Sequence, residues 1–243
     1  MIKPTLFLLP NLLDEGQDIN AVFTPLIKHK VSEIHGLIAE SYKEGRRFLR
    51  HFTFQHFPSF SEVPLVLLNE HTKKEDLPDL LQPILAGQVW GVVSDAGLPC
   101  IADPGADLVL LARKNQVEIE TFPGPCSIIM ALQLSGLSAQ SFSFHGYPPR
   151  DKREFAEAVM QWQKQKQTHV FIQAPYRTQK TLEWMLEALL PSTFLSVVWD
   201  LGTKSAGAIT KTVQAWRESP LPGLEDKRAV FCFLQTNTTS KPR

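Results

Sequence analysis

"VVSDAGLPCIADPG", residues 92–105, decides how the rest of the chain is read. A β-branched run stops at Ser94, and two aspartates, two glycines and two prolines follow before the next apolar pattern begins. The run suits a strand, glycine lets the backbone approach a ligand closely, and proline stiffens the exit from the turn. In open α/β sheets ligands collect beyond the carboxyl ends of the strands, where Ser94 and Asp95 offer oxygens and Gly97 offers space. Taken alone, the stretch also suits a tight strand-to-helix loop whose aspartate bonds its own backbone. Asp103 and Pro104 read as the N-cap and first position of the next helix. Leu108, Leu111 and Ala112 give that helix its apolar face, and Asn115 closes it.

Outward from this stretch, strands and helices alternate. Upstream, "TLFLLP" is an apolar strand stopped by Pro10, a helix broken near Pro25 covers 19–31, and "IHGLIAES" is a strand running out at Glu40. "YKEGRRFLRHF" is helical, 53–65 resists assignment, 74–86 is a helix, and "QVWGVVSD" is the strand that enters the opening stretch. Downstream, "VEIETF" is a strand, and "PGP" at 123–125 punctuates the chain. After the break come the helix "CSIIMALQLSG" and a helix opened by an Asp151–Glu154 capping box, with Phe155, Val159 and Trp162 on one face. "THVFIQ", "TQKTLEWMLEALLP", "FLSVVW" and "AVFCFL" follow as strand, helix, strand and strand, and the tail "TNTTSKPR" is expected to fray. The pattern predicts an α/β fold of two α/β domains, 1–121 and 122–243.

With 43% hydrophobic and 21% charged residues, the 243-residue chain has a folded protein's composition. Lys plus Arg and Asp plus Glu are 25 each, so the formal net charge is zero. A dedicated nucleic-acid binder with a basic excess is therefore excluded, and any polyanion must be held by a local patch. Cys100, Cys126 and Cys232 form no CxxC pair, so neither a metal centre nor a disulfide framework is expected. The start "MIKPTLFLLP" has no signal pattern and no window reaches the length of a membrane span, which predicts a soluble, cytoplasmic protein. No GxGxxG or P-loop pattern is present, which removes dinucleotide and triphosphate readings.

A second stretch, "FPGPCSIIMALQLSG" (122–136), is a stiff turn that runs into an apolar helix whose first amides are free to meet a polar group. It can equally be a linker with a buried helix. Together, "VSDAGLPCIADPG" and "FPGPCSIIMALQLSGL" resemble the ribosomal RNA small subunit methyltransferase I family, within the tetrapyrrole methylase superfamily. That family writes the motifs as VSDAGTP-x-I-x-DPG and PLPGP, and "HGYPPRDKRE" (145–154) is similar to its EGF-x-P loop. The resemblance is motif-grade over 92–137 and extends in element order from Leu6 to about Leu234.

It implies a homodimer that folds S-adenosylmethionine into the cleft between two α/β domains. Ser94, Asp95, Gly97 and Leu98 match the cofactor's strand-end loop, and Pro10 and Leu13 lie in the loop that covers one side. Cys126, Ser127 and Ile128 fall at the start of the second-domain helix, while Gln173 and Ala174 end a strand that lines the pocket. The chain departs from the family in three places, and its cofactor half is better kept than its substrate half. PTPIGNL is replaced by "PNLLDEG", AEDTRHT by "AESYKEG", and a late glycine-glutamate pair by "DKRAVF".

Methyl transfer from a sulfonium needs alignment and exclusion of water rather than a metal, and a hydroxyl nucleophile needs a base. Glu40, at a strand end, and Lys204, at the family's Thr-Lys position, are the candidate catalytic residues. RNA phosphates need cations, and three clusters offer them. Lys43, Arg46, Arg47 and Arg50 form one, Arg150, Lys152 and Arg153 another, and Arg177 and Lys180 the third, with Tyr42, Tyr147 and Tyr176 beside them to stack bases. The expected activity is 2′-O-ribose methylation of small-subunit ribosomal RNA. A methyltransferase acting on a different substrate, and a non-catalytic cofactor- or RNA-binding relative, remain open because the substrate-side residues are altered.

Overall fold

In the computed structural model, which describes residues 3–235, the chain forms two units, Met1–Cys126 and Ser127–Arg243. The stretch "TNTTSKPR" lies outside the described residues. The first unit is built from β1 (Thr5–Leu8), α1 (Ile19–Val22), α2 (Pro25–Ser32), β2 (Gly36–Ala39), α3 (Tyr42–Leu49), β3 (Leu65–Leu67), α4 (Leu77–Leu85), β4 (Val89–Val93), α5 (Ala106–Lys114) and β5 (Glu118–Thr121). Its strands make one parallel sheet in the order β3-β2-β4-β1-β5.

Successive side chains of a strand point to opposite faces. Phe7, Leu37, Val89 and Val93 accordingly join the core under α2 and α3, while Leu6, Ile38, Trp90 and Val92 join the core under α4 and α5. Such double burial is why these strands read as unbroken apolar runs. Gly36 is glycine because Trp90 lies where a Cβ would stand.

Local chemistry sets the helix boundaries. Thr24 caps α2 by accepting from the Ile27 amide at 3.4 Å, and Pro25 takes the first helical position, so the expected break in 19–31 falls there. The expectation that Asp103 caps α5 is corrected. Gly105, at φ +135°, turns the chain after Pro104, and the helix begins at Ala106. Asp103 is left in the preceding loop, its carboxylate hydrogen-bonded to Ser94.

The second unit comprises α6 (Ser127–Ser135), β6 (Phe142–Phe144), α7 (Lys152–Trp162), β7 (Thr168–Gln173), α8 (Thr178–Ala188), β8 (Phe194–Trp199), β9 (Gly207–Thr212), α9 (Val213–Arg217) and β10 (Ala229–Leu234). Its sheet has the order β6-β7-β10-β8-β9, with β6 parallel to β7 and the other pairs antiparallel. Phe171 and Phe231 stack at 4.9 Å in its core, beside Phe155 and Trp216. The Asp151 cap is present: its carboxylate accepts from the amides of Arg153 (2.8 Å) and Glu154 (3.1 Å). Among the described residues, no helix is long and apolar enough to cross a membrane.

Candidate active site

The carboxyl ends of β2 and β4 lie side by side, which brings the loops after them together. Asn11, in the loop after β1, ties the arrangement down. Its amide nitrogen donates to the carbonyls of Ser94 (3.0 Å) and Asp95 (3.2 Å), and its backbone N–H donates to the Gly97 carbonyl at 2.8 Å. Gly97 sits at φ +74°, and a Cβ there would come within 3.1 Å of the Pro125 carbonyl and 3.2 Å of Leu13. A Cβ on Gly124 would collide with Pro10. Residues 10–13, 94–98 and 123–126 thus form one close-packed cradle. In it Ser94 is buried, while Asp95 and Ala96 are exposed.

Carboxylates gather along the rim. Ser41 donates its hydroxyl to Asp95 at 2.8 Å and, as the N-cap of α3, accepts from the Glu44 amide at 3.2 Å. Glu40 accepts from the Asp95 amide at 3.2 Å. Burial raises the Glu40 pKa, with the nearby charges of Asp95 and Glu70 adding to the effect and the Asp95 N–H opposing it. Asp103 is pushed up to about 6, first by burial and then by Glu40, against its Ser94 hydrogen bond. The loop that carries Asp103 is strained, with Cys100 and Ala102 both at φ +67°. The Cys100 thiol is pushed up to about 11 by burial and by Asp103, so it stays protonated and is no nucleophile. Beside Asp103 opens a cavity of about 340 Å³.

The remaining sequence-predicted residues are placed as follows. Leu98 is half-buried and packs where the Gly124 Cβ would stand. Cys126 and Ser127 are half-buried and Ile128 is buried, at the start of α6. Gln173 donates to Thr181 and accepts from the Ala174 amide, both at 2.9 Å, so its side chain is already engaged. Lys204 is exposed on the turn after β8. That turn is held by Asp200, which accepts from Ser205 (2.9 Å) and Lys227 (2.7 Å).

Of the predicted RNA-contacting cations, Arg46 donates to the Phe60 (3.0 Å) and Val63 (2.8 Å) carbonyls, and Arg50 lies over the Phe60 ring. Arg47 pairs with Glu15 and Glu44, both at 2.6 Å. Lys43 is well exposed, 3.6 Å from Glu44. Arg177 donates to the Arg150 carbonyl at 3.0 Å, which brings the segments of Tyr147 and Tyr176, both exposed, next to each other. Sequence reading missed the roles of Asn11, Ser41 and Asp103. The signals available were a polar residue directly after the strand-stopping Pro10, a serine opening a helix next to Glu40, and the second aspartate of the opening stretch.

Residues 37–215 match the family described as Tetrapyrrole (Corrin/Porphyrin) Methylases. A protein of Halalkalibacterium halodurans named ribosomal RNA small subunit methyltransferase I is 30% identical over 237 residues, covering 96% of this chain and 75% of its own. One of the same name from Vibrio cholerae is 29% identical over 186 residues, covering 76% of this chain and 61% of its own. Among solved structures, the methyltransferase CobJ superposes with a TM-score of 0.59 at 14% identity, over 98% of this chain and 95% of that one. A uroporphyrin-III-C-methyltransferase from Thermus thermophilus gives 0.52 at 16% identity, over 96% and 92%. At such identities these two likenesses speak for the fold alone.

Proposed function

This chain belongs to the tetrapyrrole methylase family and is a methyltransferase; from that premise we propose that S-adenosylmethionine donates the methyl group and a ribose 2′-hydroxyl of small-subunit ribosomal RNA accepts it. The observation that carries the reading is the carboxyl-lined strand end, where Asp95, Glu40 and Asp103 lie together and the shifts of Glu40 and Asp103 arise from burial and like charge. A site of that character favours a ligand that brings positive charge, and S-adenosylmethionine carries a sulfonium and an ammonium. The residues present fit it.

Asp95 meets the ammonium end, with Ser41 fixing the carboxylate that does so. Ser94, Gly97, Leu98, Pro10 and Leu13 shape the cradle, and Cys126, Ser127, Ile128, Gln173 and Ala174 are the further donor contacts. When bound, the donor supplies a methyl carbon activated by its own sulfonium. The chain's part is to align the incoming hydroxyl, exclude water and receive a proton. Glu40 and Lys204 are the proton acceptors that sequence reasoning proposes. Lys43, Tyr147, Arg150 and Arg177 hold RNA, while Arg46 and Arg47 serve it by shaping the surface they brace. The enzyme works in the cytoplasm as a homodimer.

Calorimetry with S-adenosylmethionine tests the donor: binding at micromolar to sub-millimolar cofactor is expected, and none at millimolar concentration removes the reading. Mass spectrometry of ribosomal RNA from a strain lacking the gene tests the acceptor. Loss of one 2′-O-methyl group from the small-subunit RNA is expected, and an unchanged pattern defeats it.

A further inference from the structure

The cavity beside Asp103 lies between the segment that follows β3 and the first turn of α5. Leu68, Leu77 and Leu108 give it apolar walls, and Asn69, Thr72 and Asp103 give it polar ones. At about 340 Å³ it stands at the lower end of small-molecule pockets, which run from about 300 to 1,000 Å³. That volume suits one nucleoside and is small for a tetrapyrrole macrocycle. The lining offers leucine side chains to a base and acceptors to sugar hydroxyls. Asp103, Glu70 and Asp107 disfavour a phosphate inside. Lys74, which also lines the cavity, is exposed and pairs with Asp107 at 3.1 Å, so it can turn to a phosphate outside.

Asp103 also differs from Glu40 in what holds it. Glu40 is engaged with the Asp95 amide and positions the donor loop, whereas Asp103 is held by a serine hydroxyl and lines the cavity. We propose that the cavity receives the target nucleoside of the RNA and that Asp103 takes the proton of its ribose hydroxyl. The inference rests on the ribose-methylation reading. In the step, the hydroxyl oxygen bonds to the methyl carbon, the carbon–sulfur bond breaks with its electron pair left on sulfur, and the hydroxyl proton passes to the Asp103 carboxylate.

The experiment is single-turnover transfer of labelled methyl from S-adenosylmethionine to small ribosomal subunits that lack the modification, with the product nucleotide mapped. Asp103→Asn is expected to slow transfer by about 100-fold or more, a loss that saturating S-adenosylmethionine does not restore. In the wild type, the rate rises tenfold per pH unit below about 6 and levels above it, because only the ionised carboxylate accepts a proton; Asp103→Asn loses that limb. Ala106→Trp, on an exposed position that lines the cavity, is expected to weaken binding of an RNA fragment in fluorescence anisotropy by about tenfold, one misfit of roughly 1.4 kcal/mol, and to leave donor binding alone.

An Asp103→Asn enzyme within threefold of wild type overturns the assignment, as does a loss seen only in Glu40→Gln. If Asp103→Asn does not fold, a flat wild-type pH profile across 5–7, or undiminished RNA binding by Ala106→Trp, overturns it as well. Failure of the underlying reading looks different: the wild type then puts no methyl on any ribose of ribosomal RNA.

Discussion

Asp95 and Asp103 share one loop but sit in different surroundings. Asp95 is exposed and held by a hydroxyl, and Asp103 is packed into the turn behind it. On the proposed reading Asp95→Ala removes a charged partner of the donor, a contact worth about 1.5–3 kcal/mol, so calorimetry is expected to show roughly tenfold or greater weakening. Ser127→Trp is expected to weaken donor binding as well, whereas Lys43→Ala leaves it unchanged. His145 lies under the Trp162 ring with its Nε2 2.9 Å from Nδ1 of the buried His169. Burial and the neighbouring ring push His145 down to about 4, and His169 is also lowered. The unfolded chain therefore binds more protons than the folded one below the ordinary histidine value near 6.5. Stability is expected to fall as pH drops from about 6.5 to 4 and to recover part of the loss in His145→Gln, as read by urea unfolding. At this scale the sequence was informative where a side chain serves its own backbone, as at the Asp151 cap. It misled at Asp103, because an Asp-Pro pair reads as a helix start unless the positive φ of Gly105 is known.

The helix α3 shows what elements add. Arg46 and Arg50 lie four apart, which predicts a shared basic face, but that face closes on the segment 53–64 instead. Arg46 holds the Phe60 and Val63 carbonyls and Arg50 covers the Phe60 ring, so the stretch that resisted assignment is a loop clamped by the helix before it. Arg46→Met keeps the aliphatic stem and loses both bonds. It is expected to cost about 2 kcal/mol in urea unfolding and to leave donor affinity intact. Buried elements were legible because both faces of their strands are apolar, as in β4 and β10. β3, β6 and β9 were not, since they lie at sheet edges, and β3 and β6 are only three residues long. The polar alternation of "GAITKT" in β9 carries no signal that separates an edge strand from a loop.

For the whole molecule, equal numbers of cations and anions set how RNA is held. On the proposed reading affinity for RNA rests on few phosphates, since Arg46 and Arg47 already have partners within the chain. The slope of log affinity against log salt is expected to be shallower than about −3, and Arg150→Ala to reduce it by about 0.7, the contribution of one phosphate on a single strand. Filter binding across a salt series measures both. The parallel sheet of the first unit has a consequence for synthesis. Among the described residues β1 pairs only with β4 and β5, Thr5 standing opposite Val89 and Glu118. At translation rates of about 5–20 residues per second, the nascent "TLFL" segment waits roughly 4–17 s before its nearer partner is made. Throughout that interval it is an apolar ribbon with neither of its sheet partners, and once it emerges a natural client for the chaperones that meet nascent chains.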